Sequence, residues 1–179
     1  MTVFRSIKKV LDRSLELLVI VVVAVLVVDV LWQVFTRFVL KNPSTWTEEL
    51  AVFMLIWVSL LGAAVALNRG SHLGIDYFVG KLSPKKRLYT EIFAFLCILI
   101  FSLTVMVFGG IDLVGSTLKL EQISPALGIK VGYVYLAVPI SGLFLVLYSA
   151  IGMFERLIQS FKNERVRQQQ VMHIEEGVD

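Results

Sequence analysis

The chain has 179 residues, of which 57% are hydrophobic and 17% charged, with a mean hydropathy of +0.80. A soluble domain carries nearer a quarter of charged residues, so this composition excludes one and leaves no stretch for a separate water-soluble fold. The net charge of +3 does not signal nucleic acid, because the basic residues sit in short segments between long apolar runs. Membrane topology and anionic headgroups account for them there.

The runs are roughly Leu15–Leu40, Leu50–Leu67, Leu88–Leu113 and Val131–Phe154. Each reaches or approaches the ~20 residues a helix needs to cross ~30 Å of hydrocarbon. The expected fold is therefore an all-α integral membrane protein with four transmembrane helices, spanning about 15–40, 48–67, 88–113 and 131–154. Residues 1–156 form the membrane domain and 157–179 a polar cytoplasmic tail, whose last residues are expected to fray. Of the 17 Lys and Arg residues, all but Arg37, Lys41, Lys119 and Lys130 lie before the first run, between the second and third, or after the fourth. The positive-inside rule then puts both termini and the middle loop in the cytoplasm. The opening MTVFRSIKKVLDR has the charge of a signal-peptide n-region. The apolar run behind it is too long and lacks a small-residue cleavage site, so it reads as an uncleaved first helix. Cys97, the one cysteine, excludes an intramolecular disulfide.

In the first run a pure aliphatic stretch, Leu17–Val28, precedes Asp29, Gln33 and Arg37. The steps i, i+4 and i+8 place these three on one helix face. A carboxylate at the centre of a bilayer costs ~2–3 kcal/mol, less off-centre, so this face meets protein or water rather than lipid. Two readings fit it: an intrachain network in which Gln33 bridges Asp29 towards Arg37, or a face turned to a partner.

The following segment, KNPSTWTEEL, turns at Asn42-Pro43. Thr45 to Glu48 has the capping-box spacing, which predicts Thr45 as N-cap with Glu48 reaching back to its amide. Glu49 suits the positive end of the helix dipole, and Trp46 the outer aromatic belt. Within the second run Ser59, Gly62, Ala63 and Ala66 form a stripe of small residues at helical spacing. Such a stripe admits a second helix at close range, in the same chain or another. Gly109-Gly110 with Gly115 repeats the pattern more weakly in the third run.

The middle loop, NRGSHLGIDYFVGKLSPKKR, spaces Ile75, Phe78, Val79 and Leu82 helically. This predicts a short amphipathic helix lying in the interface between the second and third spans. Pro84 is expected at the first helical position of the third span. Ser124-Pro125 predicts a short helix from Pro125 to about Ile129, and Pro139 a kink in the fourth span.

The residues that chemistry requires are sparse. His72 and His173 lie outside the runs, Cys97 stands alone, and carboxylates do not cluster within the spans. Haem, metal and nucleophile–base arrangements need more than this, so no enzyme activity, cofactor or metal is expected. Helices broken at midplane by Gly and Pro, which mark many solute pathways, are not evident either.

Three stretches together carry a resemblance: RFVLKNPSTWTEEL, NRGSHLGIDYF and SPALGIKVGYVYLAVPISG. In that order, with four spans, the chain resembles the DctQ-type small membrane subunit of tripartite ATP-independent periplasmic (TRAP) transporters. The resemblance implies a bacterial inner-membrane protein that pairs with a large elevator-type subunit holding the substrate and sodium sites. It also implies a periplasmic binding protein that delivers an organic acid, such as sialic acid or a C4-dicarboxylate. The small subunit would be a non-catalytic scaffold among membrane lipids. The family pattern falls on Trp46, Glu48, Glu49, Arg69, Gly70, His72 and Asp76, as partner contacts or as residues that fix the fold. Two other readings stay open. One is an independent homo-oligomeric exporter or channel with Asp29 lining the pore; the other is a membrane redox anchor.

Overall fold

A computed structural model describes residues 2–42, 44–69 and 84–176, with side chains placed for 8–42, 44–69 and 86–158. The first helix, α1, runs Thr2–Phe38, and α2 runs Thr45–Asn68. The third span is composite: α3, Pro84–Phe101, passes into a π-helical segment, Ser102–Gly109, and then into α4, Gly110–Lys119. The fourth is also composite, with α5, Val131–Tyr135, followed by α6, Ala137–Glu176. Four stretches are long and apolar enough to cross a membrane: Lys8–Phe38, Thr45–Asn68, Lys86–Lys119 and Val131–Ile158. The all-α membrane fold expected from the sequence is thus the one observed. The predicted interfacial helix, with Gly70, His72 and Asp76, lies outside the described residues.

The helices form an open row. α1 packs on α2, α2 on α6, and α6 on α3 and the π segment, with α5 against α4. Burial follows that order: 44% of the fourth span's most apolar stretch is enclosed, against 6% for α1. The fourth span is the centre of the molecule, and α1 and the third span are its flanks. Leu15, Leu61, Ala64, Leu67, Met106, Leu145 and Tyr148 make the core, with Trp57, Phe95 and Phe144 packed around them.

Glycines seat the third span on the fourth. A Cβ at Gly142 would lie 2.8 Å from Met106 Cβ, and one at Gly152 would lie 2.6 Å from the Phe95 ring. Gly110 closes on Pro139 at 3.0 Å and Gly132 on Leu118 at 2.6 Å. Small residues let membrane helices approach where no hydrophobic drive exists between them. The sequence reading picked out Gly110 but passed over Gly132, Gly142 and Gly152.

Polar pairs tie the spans at the end where α1 enters and α6 leaves. Arg69 donates to Glu16 at 2.9 Å, the Tyr148 hydroxyl donates to Asp12 at 2.8 Å, and Glu91 accepts from Arg87 at 2.9 Å and Arg156 at 3.0 Å. These link α1 to α2, α1 to α6, and α3 to α6.

Several boundaries differ from expectation. The third span continues past Asp112 to Lys119, because Thr117 returns its hydroxyl to the Leu113 carbonyl at 2.7 Å and spends its polarity inside the helix. Helix α6 continues through Glu176, so the polar tail prolongs the fourth span. Pro84 opens α3, and the fourth span breaks between Tyr135 and Ala137, just before Pro139, as the missing amide requires. Pro125 starts no helix: residues 125–127 form turns closed by an isolated Ile123–Lys130 bridge. Gly128, at φ +68°, supplies the left-handed residue that the turn needs.

Candidate functional site

Asp29 is 5% exposed, and no described donor of the chain reaches either carboxylate oxygen. Its position follows from the packing of α1. Leu15, Val19, Val22, Leu26, Asp29, Gln33 and Thr36 recur by alternating steps of four and three, and all are buried or half-buried. That spacing is the seam of two helices crossing at a shallow angle. Arg37, one residue past the seam, is exposed. The predicted face Asp29–Gln33–Arg37 is therefore corrected to Asp29–Gln33–Thr36, and the network joining Asp29 to Arg37 does not form. The Thr36 hydroxyl donates to the Gln33 carbonyl at 3.0 Å.

At the start of α2 the N-cap is Ser44, not Thr45, and it makes no side-chain cap bond. Its hydroxyl pairs with that of Thr47 at 2.6 Å, and Thr47 also donates to the Ser44 carbonyl at 2.9 Å. Thr47 is fully buried. The predicted capping box is absent: Glu48 is exposed and Trp46 is 43% exposed. Glu49 instead crosses to the loop before α5. It accepts the amides of Ala126 at 2.9 Å and Leu127 at 3.1 Å, while Ser124 Oγ also accepts from Leu127 at 3.1 Å. A glutamate chosen for a helix end serves as the clasp of a distant loop. No local spacing announces such a contact.

The small-residue stripe is partly open among the described residues, with Gly62 at its middle half-buried. Ser59 and Ala63 are exposed, Ala66 is half-buried, and a Cβ on Gly62 would meet nothing within 4 Å. The inward face of α2 is Leu61, Ala64 and Leu67. Whatever closes on the stripe is thus not one of the described helices of this chain. Of the other sequence-derived candidates, Arg69 joins Glu16 at one end of the row and Glu49 holds the loop at the other.

Set against known proteins, residues 26–159 match the family model of tripartite ATP-independent periplasmic transporters, DctQ component. The sialic acid TRAP transporter small permease protein SiaQ of Vibrio cholerae is 30% identical over 142 residues, 79% of this chain and 80% of that one. A putative TRAP transporter small permease protein of Haemophilus influenzae is 28% identical over 156 residues, 87% of this chain and 92% of its own. The isethionate TRAP transporter permease protein DctMQ of Oleidesulfovibrio alaskensis is 33% identical over 98 residues, 55% of this chain but 15% of that protein.

Proposed function

The chain belongs to the DctQ component family of tripartite ATP-independent periplasmic transporters, and from that premise we propose that it braces a large substrate-carrying permease subunit in the bacterial inner membrane. The observation that carries this reading is the unused face of α2. A helix that leaves Ser59 and Ala63 exposed, with Gly62 and Ala66 half-buried beside them and open space at Gly62, is shaped to receive a helix from another chain. The open row supports it too, since one central span with two flanks makes a flat support rather than a closed conduit.

The large subunit would carry the solute and the coupling sodium, and a periplasmic binding protein would deliver the solute. Relatives named for sialic acid and isethionate point to an organic anion as cargo. This chain would be a non-catalytic scaffold that holds the moving partner in register. The homo-oligomeric channel draws no support from Asp29, which is enclosed in the seam of α1 rather than set on an open wall.

Co-expression with the large subunit, followed by affinity purification in mild detergent, tests the reading. Gly62→Leu should lower recovery of the large subunit about tenfold while this chain stays folded, because a Cβ at that position meets nothing within 4 Å. Transport of an organic anion in liposomes containing this chain alone would overturn the proposal.

A further inference from the structure

The π-helical segment changes which side of the third span faces outward. In α3 the inward residues are Glu91, Phe95, Ile98 and Ser102, half-buried or buried at steps of four, three and four. Continued without interruption, that rhythm would bring Val105, Gly109, Asp112 and Ser116 inward. All four are exposed. Met106, Gly110, Val114 and Thr117, one residue later except for Val114, which is two after Asp112, are the buried set. A π turn is in effect a one-residue insertion into an α-helix, and it displaces everything beyond it by one position. Here it keeps Gly110 against Pro139 and Met106 against Gly142, and turns Asp112 out.

No ion pair or hydrogen bond connects Asp112 to any described residue of the chain, and around it Phe108, Ile111 and Leu113 are 65%, 58% and 42% exposed. At ~1.5 Å per residue, the stretch from Glu91 to Asp112 spans ~30 Å, the thickness of the hydrocarbon layer. Asp112 therefore stands at the far edge of that layer from the Glu91–Arg156 pair, a carboxylate on an otherwise apolar helix face.

We propose that this face of α4 is a second contact with the large permease subunit, through a transmembrane helix that brings a Lys or Arg side chain to Asp112. The inference rests on the scaffold reading above and adds to it a place and a chemistry. A carboxylate displayed on an apolar wall with no cation paired to it among the described residues calls for a cationic complement. A membrane helix is the occupant because exposed apolar residues flank the acid on both sides.

The test uses the full-length chain co-expressed with its large subunit. Asp112→Arg should reduce the co-purified large subunit about tenfold, and Asp112→Glu should restore it, as expected for a charge pair at a membrane interface. The isolated chain should keep its melting temperature in both variants, since Asp112 is exposed and has no hydrogen-bond or ion-pair partner among the described residues. A photo-crosslinking residue at Ser116 should capture the large subunit. Capture of a second copy of this chain, or of lipid alone, overturns the proposal, as does undiminished recovery with Asp112→Arg. If that variant co-purifies normally while Gly62→Leu does not, the α4 contact falls and the scaffold reading stands. If the native chain recovers no large subunit, both fall.

Discussion

Glu49 and Asp29 are both carboxylates near the same end of the bundle, and their surroundings give them opposite roles. Glu49 receives two amides from a loop 77 and 78 residues away, charge-assisted bonds that tie to α2 a turn already closed by its own backbone bonds. Glu49→Ala should leave the Ala126 and Leu127 amides exchanging about tenfold faster, with little change in the spans. Hydrogen exchange at those two amides is the measurement; unchanged protection there would show that Ser124 alone holds the loop. Asp29 receives nothing from the described residues, and an unmatched buried polar group costs ~1–3 kcal/mol. Asp29→Val should therefore raise the thermal midpoint of the isolated chain in detergent, because an apolar side chain of similar size removes that cost. A fall in the midpoint would mean that the solubilised protein does compensate the carboxylate. If stability rises while transport by the full complex is lost, the acid is kept for function at the expense of the fold.

The third span shows most directly where a sequence can and cannot be read at the level of elements. Its existence was legible from apolar length alone, as were α1, α2 and the fourth span, and Pro84 and Pro139 marked a start and a break because a missing amide acts locally. The π turn was not legible. Its sign is a one-residue slip in the buried pattern, Glu91–Phe95–Ile98–Ser102 followed by Met106–Gly110–Val114–Thr117, and in a run where nearly every residue is apolar that slip leaves no contrast. The same uniformity hid the inward face of α2 and concealed Gly142 and Gly152 as packing sites. The Glu49 clasp depends on a partner almost eighty residues distant, beyond the reach of any local pattern. Reading the π turn as an insertion gives a prediction for the element itself. Deleting Val105, which is exposed, brings the two buried sets into one continuous α-helical phase. The deletion should fold, and its midpoint should match or exceed the native one, whereas deleting a residue from the regular stretch of α3 should abolish folding. Amide exchange across residues 102–109 would report the change, slowing where the longer π hydrogen bonds give way to α.

At the scale of the whole molecule, an open row of helices in lipid has two broad faces and two ends, and each can be given a task. The ends differ chemically. Glu16–Arg69, Asp12–Tyr148 and the Glu91 pairs with Arg87 and Arg156 gather where α1 enters and α6 leaves. The Glu49 clasp and the Ile123–Lys130 bridge lie opposite. The basic end should face the cytoplasm, since Lys and Arg near span ends resist translocation. A scaffold inserted the other way would present its clasped loop to the cytoplasm, where no periplasmic binding protein could meet it. Cys97 is the chain's one cysteine, so replacing it with serine gives a background in which single cysteines report sidedness. In intact cells a membrane-impermeant maleimide should label a cysteine at Ile123, in the loop before α5, and spare one at Val10. After permeabilisation both should react. Labelling at Val10 in intact cells would invert the molecule and put the clasped loop on the cytoplasmic side of the membrane. The contacts proposed for α2 and α4 lie within the bilayer and would survive that inversion only if the large subunit were inverted with them.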